Sequence, residues 1–196
     1  MTERLLHALI STGIIILVVP IAGLIIGWIT EGITILLSRG IGIKAALFVM
    51  NYVTFIGTIH HELSHALYAL LTGAKVTKVE VFKPQGNRLG KVEYIPRGNF
   101  FTKSLQHTFS AVAPTVQGFI TELLLFKLFM YLNGPLWQKI VLGYVMFSIF
   151  IHMTLSGADV KAALKGLPIV FILIFAVCAI FGIDLWGTFA GMITGG

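Results

Sequence analysis

The chain has 196 residues, of which 57% are hydrophobic and only 11% are charged. Its mean hydropathy of +0.93 exceeds that of soluble globular domains, in which about 25% of residues are charged. The composition therefore excludes a soluble protein and indicates an integral membrane protein. The net charge of +6 fits contact with anionic lipid, so we expect the lipid bilayer as a partner and no nucleic acid.

Uncharged runs recur along the chain, most of them close to the roughly 20 residues that cross a bilayer as a helix. The first run is too long for a secretory signal, so we interpret it as a retained anchor. The helix of the second run continues to about residue 71. Residues 31–43, between the first two runs, could be an outer loop, a helix extension or a re-entrant piece. We predict an all-α polytopic membrane protein with about five transmembrane helices, at 8–30, 45–59, 104–121, 140–158 and 166–183.

The positive charges predict the orientation of these helices. Residues 74–103 hold half of the 14 Lys and Arg residues, and loops rich in positive charge stay in the cytoplasm. With five spans, this places the N-terminus in the cytoplasm and the C-terminus outside. We expect a multi-pass protein of the plasma membrane of a prokaryote; its oligomeric state is unknown.

The polar segment also contains a predicted β-hairpin. VTKVEVF at 76–82 and LGKVEYI at 89–95 alternate apolar and polar residues. Pro84, Gly86 and Asn87 between them are turn formers. We expect this small hairpin at or just below the cytoplasmic membrane surface, where its edge could capture an extended peptide by strand addition.

The segment HHELSH at 60–65 places an HExxH motif inside a membrane helix. The spacing of four brings His61 and His65 to one face, as two ligands of one zinc ion require, and Glu62 can accept and return a proton. Ionisable residues inside a membrane are costly and usually mark a functional pathway. His60 points about 100° away, which favours packing or a hydrogen bond to a neighbouring helix.

A catalytic zinc requires a third protein ligand and an open position. Asp159 is our first choice, at the cytoplasmic end of the fourth span, provided that the helix breaks locally between Ser156 and Gly157. His152 lies two turns earlier on roughly the same face and is the alternative third ligand. The remaining candidates are His107, Glu122, His7 and Glu31.

HHELSHAL on a membrane helix, the hairpin after it, the proline of SAVAPTVQG at 110–118 and a late aspartate resemble the site-2 protease family of intramembrane zinc metalloproteases. The resemblance covers about residues 44–165, a three-helix catalytic core. It implies that His61, His65 and Asp159 bind zinc and that Glu62 is the general base and acid. The family's aspartate usually lies in an LDG-type motif, whereas this chain has GADVKA.

We therefore predict a single domain over 1–196, with flanking helices at about 5–30 and 166–190. Its expected function is intramembrane hydrolysis of peptide bonds in transmembrane protein substrates near the cytoplasmic face. Gln117, where the family tends to have an asparagine, could donate its amide N–H to a substrate carbonyl or oxyanion. The alternatives are a metal transporter, an inactive protease-like regulator, and a prenyl-protein type of protease with Glu122 as third ligand.

Overall fold

The computed structural model of the chain describes residues 2–83 and 89–194, so the predicted turn at Pro84, Gly86 and Asn87 lies outside the described residues. The strands β1 (Lys75–Glu80) and β2 (Lys91–Ile95) form an antiparallel pair. This confirms a mostly helical chain with one small sheet. The helices are α1 (Thr2–Ile41), α2 (Ile43–Phe48), α3 (Phe55–Leu71), α4 (Phe100–Tyr131), α5 (Leu136–Phe150), α6 (Gly157–Phe181) and α7 (Leu185–Thr194), with a π-helical segment (Val49–Val53) between α2 and α3.

Three of these helices, α1, α4 and α6, are long and apolar enough to cross a membrane. The helical stretches Ile43–Val53 and Phe55–Leu71 are bent by 53° and together meet the same criterion. Helix α5, with 15 residues, is shorter than a full span. Most of the ambiguous segment 31–43 is a continuation of α1. These features describe a multi-pass membrane protein.

The predicted fourth span, a continuous helix over 140–158, is wrong. The helix stops at the end of α5 and resumes only at the start of α6. The three successive carbonyls of residues 151–153 accept hydrogen bonds from Thr30 Oγ1 (3.0 Å), His61 Nδ1 (2.6 Å) and Thr115 Oγ1 (2.9 Å). Helices α1, α3 and α4 thus satisfy the backbone groups that the break frees, which a membrane interior requires.

Helices α3 and α5 lie side by side and run in the same direction. Tyr144 Oη donates to the Val53 carbonyl (2.5 Å), and one turn later Ser148 Oγ accepts from the Gly57 N–H (2.8 Å). Ser148 also donates to the Thr54 carbonyl (2.8 Å), which stabilises the bend before α3. A Cβ atom on Gly57 would collide with the backbone of Ser148, so glycine permits this close approach.

Helix α4 runs opposite to both α3 and α6. Near its start, Gln106 Nε2 donates to the Thr72 carbonyl at the end of α3 (3.1 Å). Thr115 Oγ1 donates to the carbonyl of Met153, in the break between α5 and α6. Two turns earlier in α4, Thr108 Oγ1 donates to the Ala163 carbonyl in α6 (2.9 Å). Because α5 is parallel to α3 and α4 is antiparallel to both α3 and α6, α5 and α6 run in the same direction.

The start of α1 lies against the end of α6, at one end of the bundle. Arg4 Nη2 donates to the Ile180 carbonyl (2.6 Å), and His7 Nδ1 lies 2.5 Å from Asp184 Oδ2. This arrangement favours termini on the same side of the membrane over the predicted opposite sides. The side of the membrane on which each terminus lies stays a prediction.

The hairpin folds back along α3 instead of continuing beyond it. Phe82, just after β1, packs its ring against Tyr52 and Phe55 at the beginning of α3, with centroid distances of 5.9 Å to each. The end of β1 therefore lies beside the start of α3, and the hairpin's position at the cytoplasmic membrane surface stays a prediction. Its charges pair with each other: Lys78 and Lys83 with Glu80, and Lys91 with Glu93.

Candidate metal centre

The two histidines of the motif lie one turn apart on the same face of α3. His61 Nδ1 donates to the carbonyl of His152 (2.6 Å), and His65 Nδ1 donates to the carbonyl of Ser110 (2.7 Å). These bonds put the proton of each neutral imidazole on Nδ1 and leave a lone pair on Nε2. The two Nε2 atoms face each other at 3.1 Å.

Asp159 completes the group. Its Oδ1 atom lies 3.6 Å from His65 Nε2, and one donor atom from each of His61, His65 and Asp159 lies within 4.8 Å of the others. Such lone pairs repel each other unless a cation or proton is shared between them. Zinc bound tetrahedrally at 2.0–2.1 Å from nitrogen places its ligand atoms about 3.3 Å apart, so the donor set fits a zinc ion.

A capping box at the start of α6 orients Asp159. Its Oδ2 atom accepts from the backbone N–H (2.9 Å) and the hydroxyl (2.6 Å) of Ser156, and Ser156 Oγ accepts from the Asp159 N–H (3.2 Å). One carboxylate oxygen is therefore bound by the cap while the other faces His65. The helix is interrupted over residues 151–156, a longer break than the local one predicted between Ser156 and Gly157. Asp159 therefore lies in the first turn of a new helix instead of ending the fourth span.

We expect Ser156→Ala to weaken zinc binding by about 10- to 100-fold, because it frees Oδ2 of Asp159 to rotate. Zinc affinity measured by competition with a fluorescent chelator tests this. Ser156→Thr, which retains a hydroxyl cap, should bind as the wild type does. Asn99 caps α4 in a similar manner, accepting from the Thr102 N–H at 3.0 Å, so Asn99→Ala is the matched control. Equal weakening by Asn99→Ala would contradict a local role for Ser156.

A cavity of about 480 Å³ opens beside these ligands. Glu62 lines this cavity, which agrees with its position directly after His61 in the motif. Glu62 is not one of the three clustered donors. One wall is formed by β2 and the residues just before it. The other lining residues come from α3, α4 and the start of α6: His61, His65, Ser110, Ala111, Ser156, Ala158, Asp159 and Ala162.

Gly90 brings the hairpin backbone directly against Glu62. A Cβ atom at this position would lie 2.5 Å from Glu62 Cγ and 2.8 Å from the Glu80 carbonyl oxygen. The Glu62 side chain can move away from the first contact, whereas the second contact, with the backbone of the paired strand, requires the backbone at position 90 to shift as well. Glycine therefore permits the close approach of the hairpin backbone to Glu62.

We expect Gly90→Ala to lower the rate of substrate cleavage by about 10²-fold, the cost of a displacement near 1 Å in a catalytic group, while zinc content stays unchanged. Cleavage rate and zinc content of the purified variant provide the measurement. Gly143→Ala is the control, since a Cβ atom there meets nothing within 4 Å. Full activity of Gly90→Ala would show that the hairpin does not position Glu62.

Several other residues that the sequence suggests for the site lie outside the group of His61, His65 and Asp159. His152 directs ring Nδ1 towards the Ser148 carbonyl (2.8 Å), and only its backbone carbonyl supports the site. Gln117 and His60 lie together in a separate groove and both contact Thr121, at 3.4 and 3.0 Å. The contact of His60 with a neighbouring helix agrees with its predicted role. Four further candidate ligands, His7, Glu31, His107 and Glu122, are not among the clustered donors in the described part of the chain.

Sequence reasoning missed several residues that shape the site. The pattern Ser156-x-x-Asp159 is a readable capping signal, whereas no local signal distinguishes Ser110 or Tyr94. Burial raises the pKa of the Tyr94 phenol above its ordinary value; a hydrogen bond with Ser110 lowers the pKa, and the charge of Asp159 raises it. The phenol therefore keeps its proton at neutral pH.

Comparison with known proteins agrees with this geometry. A sequence model of the family described as Peptidase M50B-like matches residues 29–193. The chain belongs to this family, the site-2 protease family. The family consists of zinc metallopeptidases, which agrees with the chemistry of the His61, His65 and Asp159 cluster. The comparisons with curated proteins and with solved structures give no match.

Proposed function

We propose that this chain is an intramembrane zinc metalloprotease that hydrolyses peptide bonds of membrane-spanning proteins near the cytoplasmic face. One observation carries the proposal: the facing donor atoms of His61, His65 and Asp159 converge in a cavity that Glu62 also lines. A carboxylate beside the donor cluster, but outside it, suits hydrolysis better than simple metal storage.

Three residues would hold the ion. His61 and His65 would bind through Nε2 and Asp159 through Oδ1, which leaves a fourth position for water or substrate. When bound, zinc supplies a Lewis acid that polarises the scissile carbonyl and lowers the pKa of water. The backbone carbonyls that accept from both Nδ1 atoms fix the histidines in the binding tautomer.

Glu62 would move the proton. It takes a proton from the attacking water as the new C–O bond forms at the carbonyl carbon. It then gives that proton to the amide nitrogen as the C–N bond breaks, so that one water is consumed and Glu62 returns to its starting state. Gly90 leaves just enough room for this side chain.

The substrate would have to reach the site in an extended form, since helical carbonyls are hydrogen-bonded and sterically covered. Strand β2 pairs with β1 along one edge, and Lys91, Val92 and Tyr94 of β2 line the cavity. Its other edge offers backbone N–H and C=O groups to an unwound segment by strand addition. Strand addition would place the scissile bond next to Glu62.

The orientation follows from the positive charge around the hairpin. Residues 74–103 carry half of the Lys and Arg residues, which favours the cytoplasm. The start of α1 lies at the end of α6, α7 follows directly, and α6 ends on the side where α4 begins. We therefore propose that the hairpin base, the N-terminus and the C-terminus are all cytoplasmic.

Zinc removal tests the proposed function. We expect the protein, reconstituted in liposomes with a set of labelled single-span test proteins that carry helix-breaking residues, to cleave at least one of them. Treatment with 1,10-phenanthroline should abolish cleavage and added zinc should restore it, while the calcium chelator EGTA has no effect. Cleavage that survives phenanthroline, or zinc flux through the liposomes without any cleavage, would contradict a metalloprotease.

A further inference from the structure

Tyr94 of β2 presents the one phenol among the residues that line the catalytic cavity. It belongs to the hairpin, whereas the ligands His61 and His65 belong to α3. Its Oη atom lies 3.4 Å from His107 Nδ1, which is long for an O–H donor, and the phenol also has a hydrogen bond with Ser110. Ser110 lines the same cavity, so the hydroxyl is positioned there and its O–H can turn to a substrate oxygen.

The other polar side chains of the cavity wall already have strong partners. Ser110 Oγ donates to the carbonyl of His65 (3.1 Å), and Ser156 Oγ donates to Asp159 Oδ2 (2.6 Å). Lys91 forms an ion pair with Glu93 at 2.6 Å. His61, His65 and Asp159 are the metal donors and Glu62 handles the proton. Among the described residues of the wall, Tyr94 is then the neutral side chain whose O–H can exchange its present neighbours, Ser110 and His107, for a substrate oxygen.

Peptide hydrolysis requires such a donor. When water attacks, the C=O π electrons move to the carbonyl oxygen, which becomes an oxyanion until the C–N bond breaks. A hydrogen bond aimed at that oxygen strengthens as the charge develops, and removal of one such donor costs about 10²- to 10³-fold in kcat in proteases. Gln117, the residue expected for this task, lies in the separate groove with His60 and Thr121.

We propose that Tyr94 is a catalytic residue whose phenolic O–H donates a hydrogen bond to the oxyanion of the tetrahedral intermediate, an assignment that rests on the proposed protease function. The phenol keeps its proton throughout, so the proton balance through Glu62 is unchanged. His107 holds the hydroxyl from the other side and acts as a positioning residue.

Tyr94→Phe tests this assignment, because it removes the O–H and retains the ring. In zinc-loaded liposomes with a test protein that the wild type cleaves, we expect kcat to fall by about 10²-fold and KM to change less than about twofold. Zinc content and the melting temperature of the metal-free protein should match those of the wild type. Tyr68→Phe on α3 is the matched control, since Tyr68 does not line the cavity.

Ligand binding gives a second readout that does not depend on turnover. A blocked phosphinic analogue of leucyl-leucine, which is tetrahedral and anionic, should bind zinc-loaded Tyr94→Phe about 10-fold more weakly than wild type by calorimetry. The planar amide of the same sequence should bind both proteins equally. These expectations separate stabilisation of the intermediate from general substrate binding.

Three results would overturn the assignment. The first two are a kcat of Tyr94→Phe within twofold of wild type and loss of zinc from Tyr94→Phe. The third is a Tyr94→Phe defect in KM alone, reproduced by His107→Ala, with a lower melting temperature. The last would show that Tyr94 merely fastens the hairpin to α4. If the wild type itself neither binds zinc nor cleaves any test protein, the proposed function fails as well. Wild-type cleavage with a fully active Tyr94→Phe defeats this inference alone.

Discussion

Glu62→Gln should lower cleavage by about 10²- to 10⁴-fold, the usual contribution of general acid–base catalysis, while leaving zinc bound. Glutamine has the shape of glutamate but cannot accept the proton of the attacking water. The three donor atoms of His61, His65 and Asp159 are untouched. Rate of cleavage of a labelled single-span protein in liposomes, measured beside zinc content, gives the result.

Glu122→Gln is the matched control for this experiment. Glu122 lies on α4 and does not line the cavity, so the variant should cleave at the wild-type rate. Loss of activity in Glu122→Gln with retention in Glu62→Gln would reverse the roles of the two acids and would favour the prenyl-protein type of site. Equal activity of Glu62→Gln and wild type would remove Glu62 from the mechanism.

His65→Ala and Asp159→Ala should reduce bound zinc from about one ion per chain to a small fraction of it, because three protein ligands are the minimum for a catalytic zinc site. His152→Ala should keep its zinc. The contribution of His152 to the site is its backbone carbonyl, which accepts from His61 Nδ1 at 2.6 Å, and the substitution leaves that atom in place. Zinc is measured by mass spectrometry on protein purified in detergent.

Circular dichroism and elution volume should match those of the wild type for all three variants, so that zinc loss is not confused with unfolding. Zinc retained by Asp159→Ala but lost by His152→Ala would make His152 the third ligand. Zinc retained by His65→Ala would contradict the whole centre. A wild type without zinc would exclude the proposed metalloprotease.

The sequence alone predicts the class of the protein and part of its site. High hydropathy predicts the membrane, because charged groups are costly in lipid. The spacing of His61 and His65 on a helix brings both rings to one face, because that relation depends only on helical geometry. Alternation of apolar and polar residues predicts the hairpin, and the family match over residues 29–193 agrees with the resemblance carried by the motif.

The topology could not be predicted from hydropathy. A run of uncharged residues over 140–158 predicts one helix, yet the chain breaks there because Thr30, His61 and Thr115 bond to three successive carbonyls. These donors are far away in sequence and belong to three different helices. The break separates α5 from α6, and the start of α1 lies against the end of α6 at one end of the bundle.

Separation along the sequence also explains why other parts of the site could not be predicted. Gln117 matches a family pattern along the chain, but its position on α4 turns it towards His60 and Thr121 instead of the cavity. Gly90 and Tyr94 carry no local signal, because their roles arise only when the hairpin folds back on α3. The sequence by itself determined the membrane class, the HExxH motif and the hairpin, since each depends on local composition or periodicity. Only the tertiary structure decided the place of Asp159, the contact between the start of α1 and the end of α6, and the cavity wall, since each depends on contacts between distant segments.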